Sequence, residues 1–147
     1  MQRPKIYVAS SWKNFELVRM IANFLRHQGF EVDDFTDNSR GRYIFHYSEI
    51  GNIEDLDPIT FLYDPRAQRA FQEDKKWIDW ADIVLLVMPA GKSSHLEAGY
   101  AKGAGKKVII YWHYGVPKGE FDVMYGFADL LSEDMFEVLR FIQAGSK

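Results

Sequence analysis

Two periods of hydrophobic and polar positions alternate along this chain. "KIYVAS" (Lys5–Ser10) is a short β-branched and aromatic run, the form taken by a parallel strand buried on both faces. Phe15, Leu17, Val18, Ile21, Ala22, Phe24 and Leu25 then recur at helical spacing, and "HQGF" (His27–Phe30) supplies a glycine stop. "EVDDF" (Glu31–Phe35) predicts a second strand that ends in acidic residues. From Thr36 to Pro58 no period is sustained, and turn residues mix with aromatics. That stretch predicts a long ordered excursion, since its aromatics are too many for a disordered linker. The helical period returns over Asp64–Ala81, with Asp64 as cap, Pro65 in the first position, and Ala70, Phe71, Trp77, Ile78 and Ala81 on the inner face. "DIVLLVM" and "KKVIIYW" predict the third and fourth strands, and Ser132 opens a closing amphipathic helix through Ile142.

Strands alternating with helices predict an α/β fold: one domain over residues 1–147, excursion at 36–58 included. Its expected core is a doubly wound parallel sheet of about four to five strands with helices on both faces, flavodoxin-like or Rossmann-like. Ligands in such sheets bind beyond the carboxyl ends of the strands. The rim is therefore expected at Ala9–Trp12, Phe35–Asp37, Met88–Glu97 and Trp112–Gly115.

Composition narrows the class of partner. A formal net charge of −3 leaves no surplus of Lys and Arg to neutralise a phosphate backbone, so small molecules or proteins are expected rather than nucleic acid. The chain has no cysteine, and its four histidines show no ligand spacing, so neither a disulfide framework, a metal nor a cofactor is expected. No apolar run is long enough to span a bilayer, and "MQRP" followed at once by a strand does not read as a signal peptide. A cytoplasmic protein without membrane contact is expected.

The segment "VLLVMPAGKSSHLEAGYAKGAGKKVIIYW" (Val84–Trp112) carries the candidate chemistry. Ser94-His95-Leu96-Glu97 fits a capping box, in which the serine caps a helix and the glutamate reaches back to its amide. Gly99 and Gly103 each cost on the order of 1 kcal/mol in a helix interior, which suggests a close approach there. Gly91-Lys92-Ser93-Ser94 at a helix amino end offers N–H groups, two hydroxyls and an ammonium to an anion, without Walker spacing.

"KIYVAS", "FQEDKKWIDWADIVLLV" and "SSHLEAGYAKGAGKKVIIY" together resemble the nucleoside 2-deoxyribosyltransferase family and its relatives that hydrolyse nucleoside 5'-monophosphates. The match spans most of the chain outside Thr36–Pro58. The resemblance implies that Glu97 is the nucleophile, that Tyr7 orients it, and that Asp74 is a carboxylate on the base side of the pocket. The expected substrate-binding set is Ser10 on the rim, Gly91, Lys92, Ser93 and Ser94 of the anion loop and, as the resemblance implies, Asp122 and Met124. "FDVMYGF" resembles the segment lent to a neighbouring subunit, so a homodimer or higher homo-oligomer is expected. Gly91 stands where the transferases tend to carry an aspartate for base recognition, and Asp122 where the family often has Asn. Lys92-Ser93-Ser94 has more anion-binding character than a 5'-hydroxyl needs, which tilts the expected substrate toward a 5'-monophosphate.

The implied chemistry is coherent. Cleaving an N-glycosidic bond builds positive charge at C1' and negative charge on the base, so a carboxylate beneath the sugar and a proton donor near the base are both required. Glu97 and Asp74 are expected to divide those tasks, with transfer to another base or to water. Two other classes stand beside this one: a Toll/interleukin-receptor-like NAD glycohydrolase, and a non-catalytic nucleotide-binding module in which Glu97 only caps. Trp77, Trp80, Tyr100, Trp112 and Tyr114 are candidates to stack a base but read first as core, and "YIFHY" (Tyr43–Tyr47) reads as a lid or an edge strand.

Overall fold

In the computed structural model, which describes residues 3–37, 39, 41–45 and 55–145, five parallel strands form one sheet. They are β1 (Lys5–Ala9), β2 (Glu31–Asp33), β3 (Ile83–Met88), β4 (Lys107–Trp112) and β5 (Leu130–Ser132), in spatial order β2-β1-β3-β4-β5. The connecting helices are α1 (Phe15–His27), a single turn α2 (Pro58–Phe61), α3 (Pro65–Trp80), α4 (Lys92–Gly103) and α5 (Met135–Ala144). β3 lies at the centre and is buried at every position, which is why its sequence is continuously apolar rather than alternating.

The two-residue strand period divides the core. Ile6, Val8, Leu85, Val87, Ile109 and Tyr111 pack under Leu17, Val18, Ile21 and Leu25 of α1 and Val138 and Ile142 of α5. Tyr7, Ala9, Val84, Leu86, Ile110 and Trp112 face the other way, against Ile78 of α3 and Ala98 and Ala101 of α4. Register then decides which polar groups share a face. Tyr7 pairs with Asp33 on one side and with Val84 on the other, so Asp33 joins Tyr7 on the α3/α4 side. Asp34, the next residue, turns to the α1 side and meets Arg26 at 2.8 Å.

Most expected elements appear, with corrections. β2 ends at Asp33, two residues early, because Asp34 accepts from the Thr36 amide and begins a turn. β5 carries no periodic signal: its three residues are too few to show alternation, and the strand exists because Asp129 docks onto β4. There the Asp129 amide donates to the Val108 carbonyl at 2.8 Å, and its carboxylate accepts from the Val108 amide at 2.9 Å. Ser132 therefore belongs to a strand, and the last helix starts three residues later with Asp134 as its cap and ends at Ala144. α3 begins as expected, with Asp64 accepting from the Arg66 amide and Pro65 at its first position, but Phe71 is 60% exposed rather than internal. Within the excursion, residues 41–45 are not strand. His46 and Tyr47 of the aromatic run, like residues 38, 40 and 48–54, lie outside the described residues. Among the described residues, no helix is long and apolar enough to cross a membrane.

Candidate active site

β1 and β3 are neighbours, yet the chain leaves β1 toward β2 at one edge and continues from β3 toward β4 on the other side. The two connections part at the carboxyl ends of β1 and β3, the place where a doubly wound sheet opens a crevice. A cavity of about 490 Å³ occupies it. β1 and the turn after it contribute Tyr7, Ser10, Ser11, Trp12 and Lys13; the chain beyond β2 contributes Phe35, Arg42, Tyr43, Ile44 and Phe45. Ala70 and Asp74 come from α3, and Gly91, Lys92, Ser93, Ser94 and Glu97 from α4 and its approach. The expected rim at Trp112–Gly115 takes no part, because β4 lies beyond β3 from the crevice.

The start of α4 sets the role of Glu97. Gly91 is its N-cap and makes no side-chain cap bond, so Ser94 lies inside the first turn and Glu97 in the second. The capping-box reading is thereby overturned. Ser94 is buried on the cavity wall, and Glu97 Oε2 accepts a 2.6 Å hydrogen bond from the Tyr7 hydroxyl. The amino end of α4 keeps the unpaired N–H groups of an uncapped first turn beside Lys92, Ser93 and Ser94, an arrangement suited to an anion. His95 is committed to its own helix, with Nδ1 2.7 Å from the Gly91 carbonyl oxygen. The expectation of a close approach at Gly99 and Gly103 is also corrected, since a Cβ on either would meet open space.

Three carboxyl groups and a phenol gather around one guanidinium. Arg42 is 5% exposed. Its Nε lies 3.1 Å from both carboxylate oxygens of fully buried Asp33, its Nη2 lies 3.0 Å from Asp74 Oδ1, and its Nη1 donates to the Tyr43 carbonyl at 3.2 Å. Burial, with the Asp74 charge adding to it, pushes Glu97 up to about 7, while the Tyr7 hydrogen bond and Arg42 pull the other way. Burial also raises Asp74, opposed by Arg42. Tyr7 is held well above its ordinary value by burial and by the nearby Glu97 and Asp74 charges, so its hydroxyl stays a donor. Around neutrality Glu97 therefore changes charge, with a donor fixed on one oxygen.

Of the residues expected from sequence, Glu97, Tyr7, Asp74, Ser10, Gly91, Lys92, Ser93 and Ser94 line this one cavity. Ser10 is already engaged, donating to the Val87 carbonyl at 2.8 Å and accepting from Asn14 at 3.0 Å. Asp122 and Met124 do not line it. Asp122 caps the 3-10 turn Val123–Phe127 through the Met124 amide, and Met124 is 60% exposed. None of Trp77, Trp80, Tyr100, Trp112 and Tyr114 lines it either: Trp112 is core with Trp77 and Trp80 packed against that layer, whereas Tyr100 and Tyr114 are exposed, so the core reading fails for the two tyrosines. The aromatic wall is instead Trp12 and Phe35, with ring centroids 4.6 Å apart, together with Tyr43 and Phe45. Trp12 and Phe35 lay on the expected rim. No local pattern singles out Arg42 or Asp33, because Arg42 sits in a stretch without period and meets Asp33 and Asp74 only through tertiary contact. Among the described residues, no group of three or more histidine and carboxylate side chains is arranged to hold a metal ion.

A carboxyl raised from 4.5 to about 7 keeps its proton in the folded chain after the unfolded chain has lost it. Its contribution to stability is present below pH 4.5 and is lost as pH rises through about 7. Relative to Glu97→Gln, the native chain should therefore lose on the order of 3 kcal/mol between pH 4.5 and pH 8. Urea denaturation of both proteins across that range measures it; a constant difference would mean that Glu97 titrates normally.

No protein-family model matches the chain, and no curated protein sequence matches it. Solved structures do. The 2-deoxyribosyltransferase of Bacillus psychrosaccharolyticus superposes with a TM-score of 0.62 at 20% identity, covering 91% of this chain and 89% of that one. The CMP N-glycosidase BcmB of Clostridium botulinum superposes with a TM-score of 0.56 at 17% identity, covering 95% and 98%. Over nearly its whole length, the chain thus has the fold of a 2-deoxyribosyltransferase and of a CMP N-glycosidase.

Proposed function

We propose that this protein cleaves the N-glycosidic bond of a nucleoside or nucleoside 5'-monophosphate, with Glu97 as nucleophile. The observation that carries the reading is the Tyr7–Glu97 hydrogen bond of 2.6 Å inside the crevice cavity. A carboxylate held by one oxygen has its other oxygen available for C1'. As the Glu97 oxygen bonds to C1', the C1'–N bond breaks, its electron pair leaves with the base, and a proton supplied on the base side neutralises the base. Asp74 is the carboxyl on that side, and Trp12 and Phe35 offer flat apolar surface. Attack on the glycosyl ester by a second base or by water then frees Glu97. The folds it shares with a 2-deoxyribosyltransferase and a CMP N-glycosidase support this class of reaction.

The amino end of α4 is read as the 5'-phosphate site, with Lys92 and Ser93 reaching it from the cavity edge. Homodimerisation is read from the segment after β4: Phe121 (78% exposed), Val123, Met124 and Phe127 all remain exposed on one chain. In a two-fold dimer, Asp122 and Met124 of each chain complete the site of the other.

Incubation with deoxynucleosides, nucleoside monophosphates and NAD, with and without an acceptor base, tests the reaction. Base release or exchange is expected from the first two classes. It should fall by several orders of magnitude in Glu97→Ala, while unfolding stays cooperative because Glu97 caps nothing. Full activity in that variant rejects the nucleophile, and loss of NAD alone favours the NAD glycohydrolase.

For the phosphate site, Lys92→Ala with Ser93→Ala should raise KM for a monophosphate by roughly 10–100-fold and barely change KM for the matching nucleoside. Equal effects would show that the loop only shapes the cavity.

For the dimer, equal amounts of a Glu97→Ala chain and an Asp122→Ala/Met124→Ala chain should recover about a quarter of native activity, since half the dimers are mixed and each holds one intact site. Light scattering that shows a monomer, together with no recovery, removes the composite site.

A further inference from the structure

Arg42 is the one cation in direct contact with the cavity's buried carboxyl cluster among the described residues, and nothing in the sequence marked it. It comes from residues 41–45, which are neither helix nor strand, so no regular backbone holds it in place. Its side chain supplies the anchor instead. Nε meets both oxygens of Asp33 at the end of β2, and Nη2 meets Asp74 in the middle of α3. Asp33 is held in turn by the β1–β2 register opposite Tyr7. A rigid chain of contacts thus runs from the sheet through Asp33 and Arg42 to Asp74, whose side chain still keeps 44% of its surface, on the cavity wall.

We infer that Arg42 is a positioning residue for Asp74: its guanidinium, pinned on Asp33, fixes the direction of that carboxyl on the cavity wall. This deepens the glycosidase reading and rests on it for the kinetic consequence. A planar fork pinned on one side by a buried carboxylate leaves the second carboxylate little freedom to rotate. A lysine would keep the charge and lose the fork. The groups facing Asp74 are Arg42, Glu73 on its own helix, Tyr7 from β1 and Glu97 from α4. Lys13 and Lys92 line the same cavity. Of these, Arg42 is the cation in contact, and its charge opposes the effect of burial on Asp74. The same anchor holds Tyr43, Ile44 and Phe45 against the cavity, because Nη1 donates to the Tyr43 carbonyl.

The test follows the Asp74 carboxyl carbon by NMR through a pH titration of aspartate-labelled protein, assigned with Asp74→Asn, beside steady-state base release. In Arg42→Gln the Asp74 midpoint should move to higher pH, and kcat should fall on the order of 10²-fold. Arg42→Lys should return the midpoint toward the native position while recovering only part of kcat. Should loss of the Arg42 contact with buried Asp33 keep Arg42→Gln from folding, Asp33→Asn/Arg42→Gln removes both charges and must show the same upward move. An unmoved Asp74 midpoint in the folded variants overturns the inference, as does an unmoved kcat. If the native chain releases no base from any substrate, the glycosidase reading fails while the titration still decides what Arg42 does to Asp74.

Discussion

Parallel pairing of β1 with β2 on one side and β3 on the other is the constraint on which the site depends. That register places Tyr7 beside Asp33 and Val84, and the strand period sends Tyr7 to the face covered by α3 and α4. A slip of one residue would turn Tyr7 toward α1 and bring Ile6 or Val8 to the crevice. The sheet holds the register because β3 is buried on both faces, so every alternative puts apolar side chains in the wrong layer.

On that frame stands a cluster that is costly to bury. Asp33, Asp74, Glu97 and Tyr7 surround one guanidinium, and burial weighs on Asp74, Glu97 and Tyr7 alike. Buried ion pairs of this kind are often no better for stability than apolar residues of the same volume. Their value lies in what they do to proton affinity: Glu97 is brought to about 7, in the range where a carboxyl exchanges its proton under neutral conditions. Perturbed groups around a crevice cavity are the pattern expected of a chemical site. The aromatic wall gives the same cavity a flat apolar side, and the uncapped amino end of α4 adds Lys92, Ser93 and Ser94 to its lining.

Where sequence reading failed, a local rule competed with a tertiary contact. Ser94-x-x-Glu97 satisfies the capping-box pattern, but the helix is capped three residues earlier, at Gly91, and Tyr7 offers Glu97 a better partner than its own backbone. Leu130–Ser132 has too few residues to show a period, and its strand depends on the Asp129 contact with β4. Phe71 sits at a plausible inner spacing on α3 and yet faces out, a placement set by how that helix lies across the sheet.

The sequence by itself determined the α/β alternation, the central apolar strand, both ends of α3 within a residue, and the segments Ser10 and Gly91–Glu97 as rim. These follow from period, caps and composition, which act between residues close in the chain. Only the tertiary structure decided the strand order, and with it the position of the crevice at β1 and β3 rather than at β4. It joined Tyr7 to Glu97 across 90 positions, a pairing that family resemblance implies and no local pattern shows, and it alone brought Arg42 between Asp33 and Asp74. Such contacts depend on register and layer, which arise when the whole sheet closes and leave no periodic trace in any one segment.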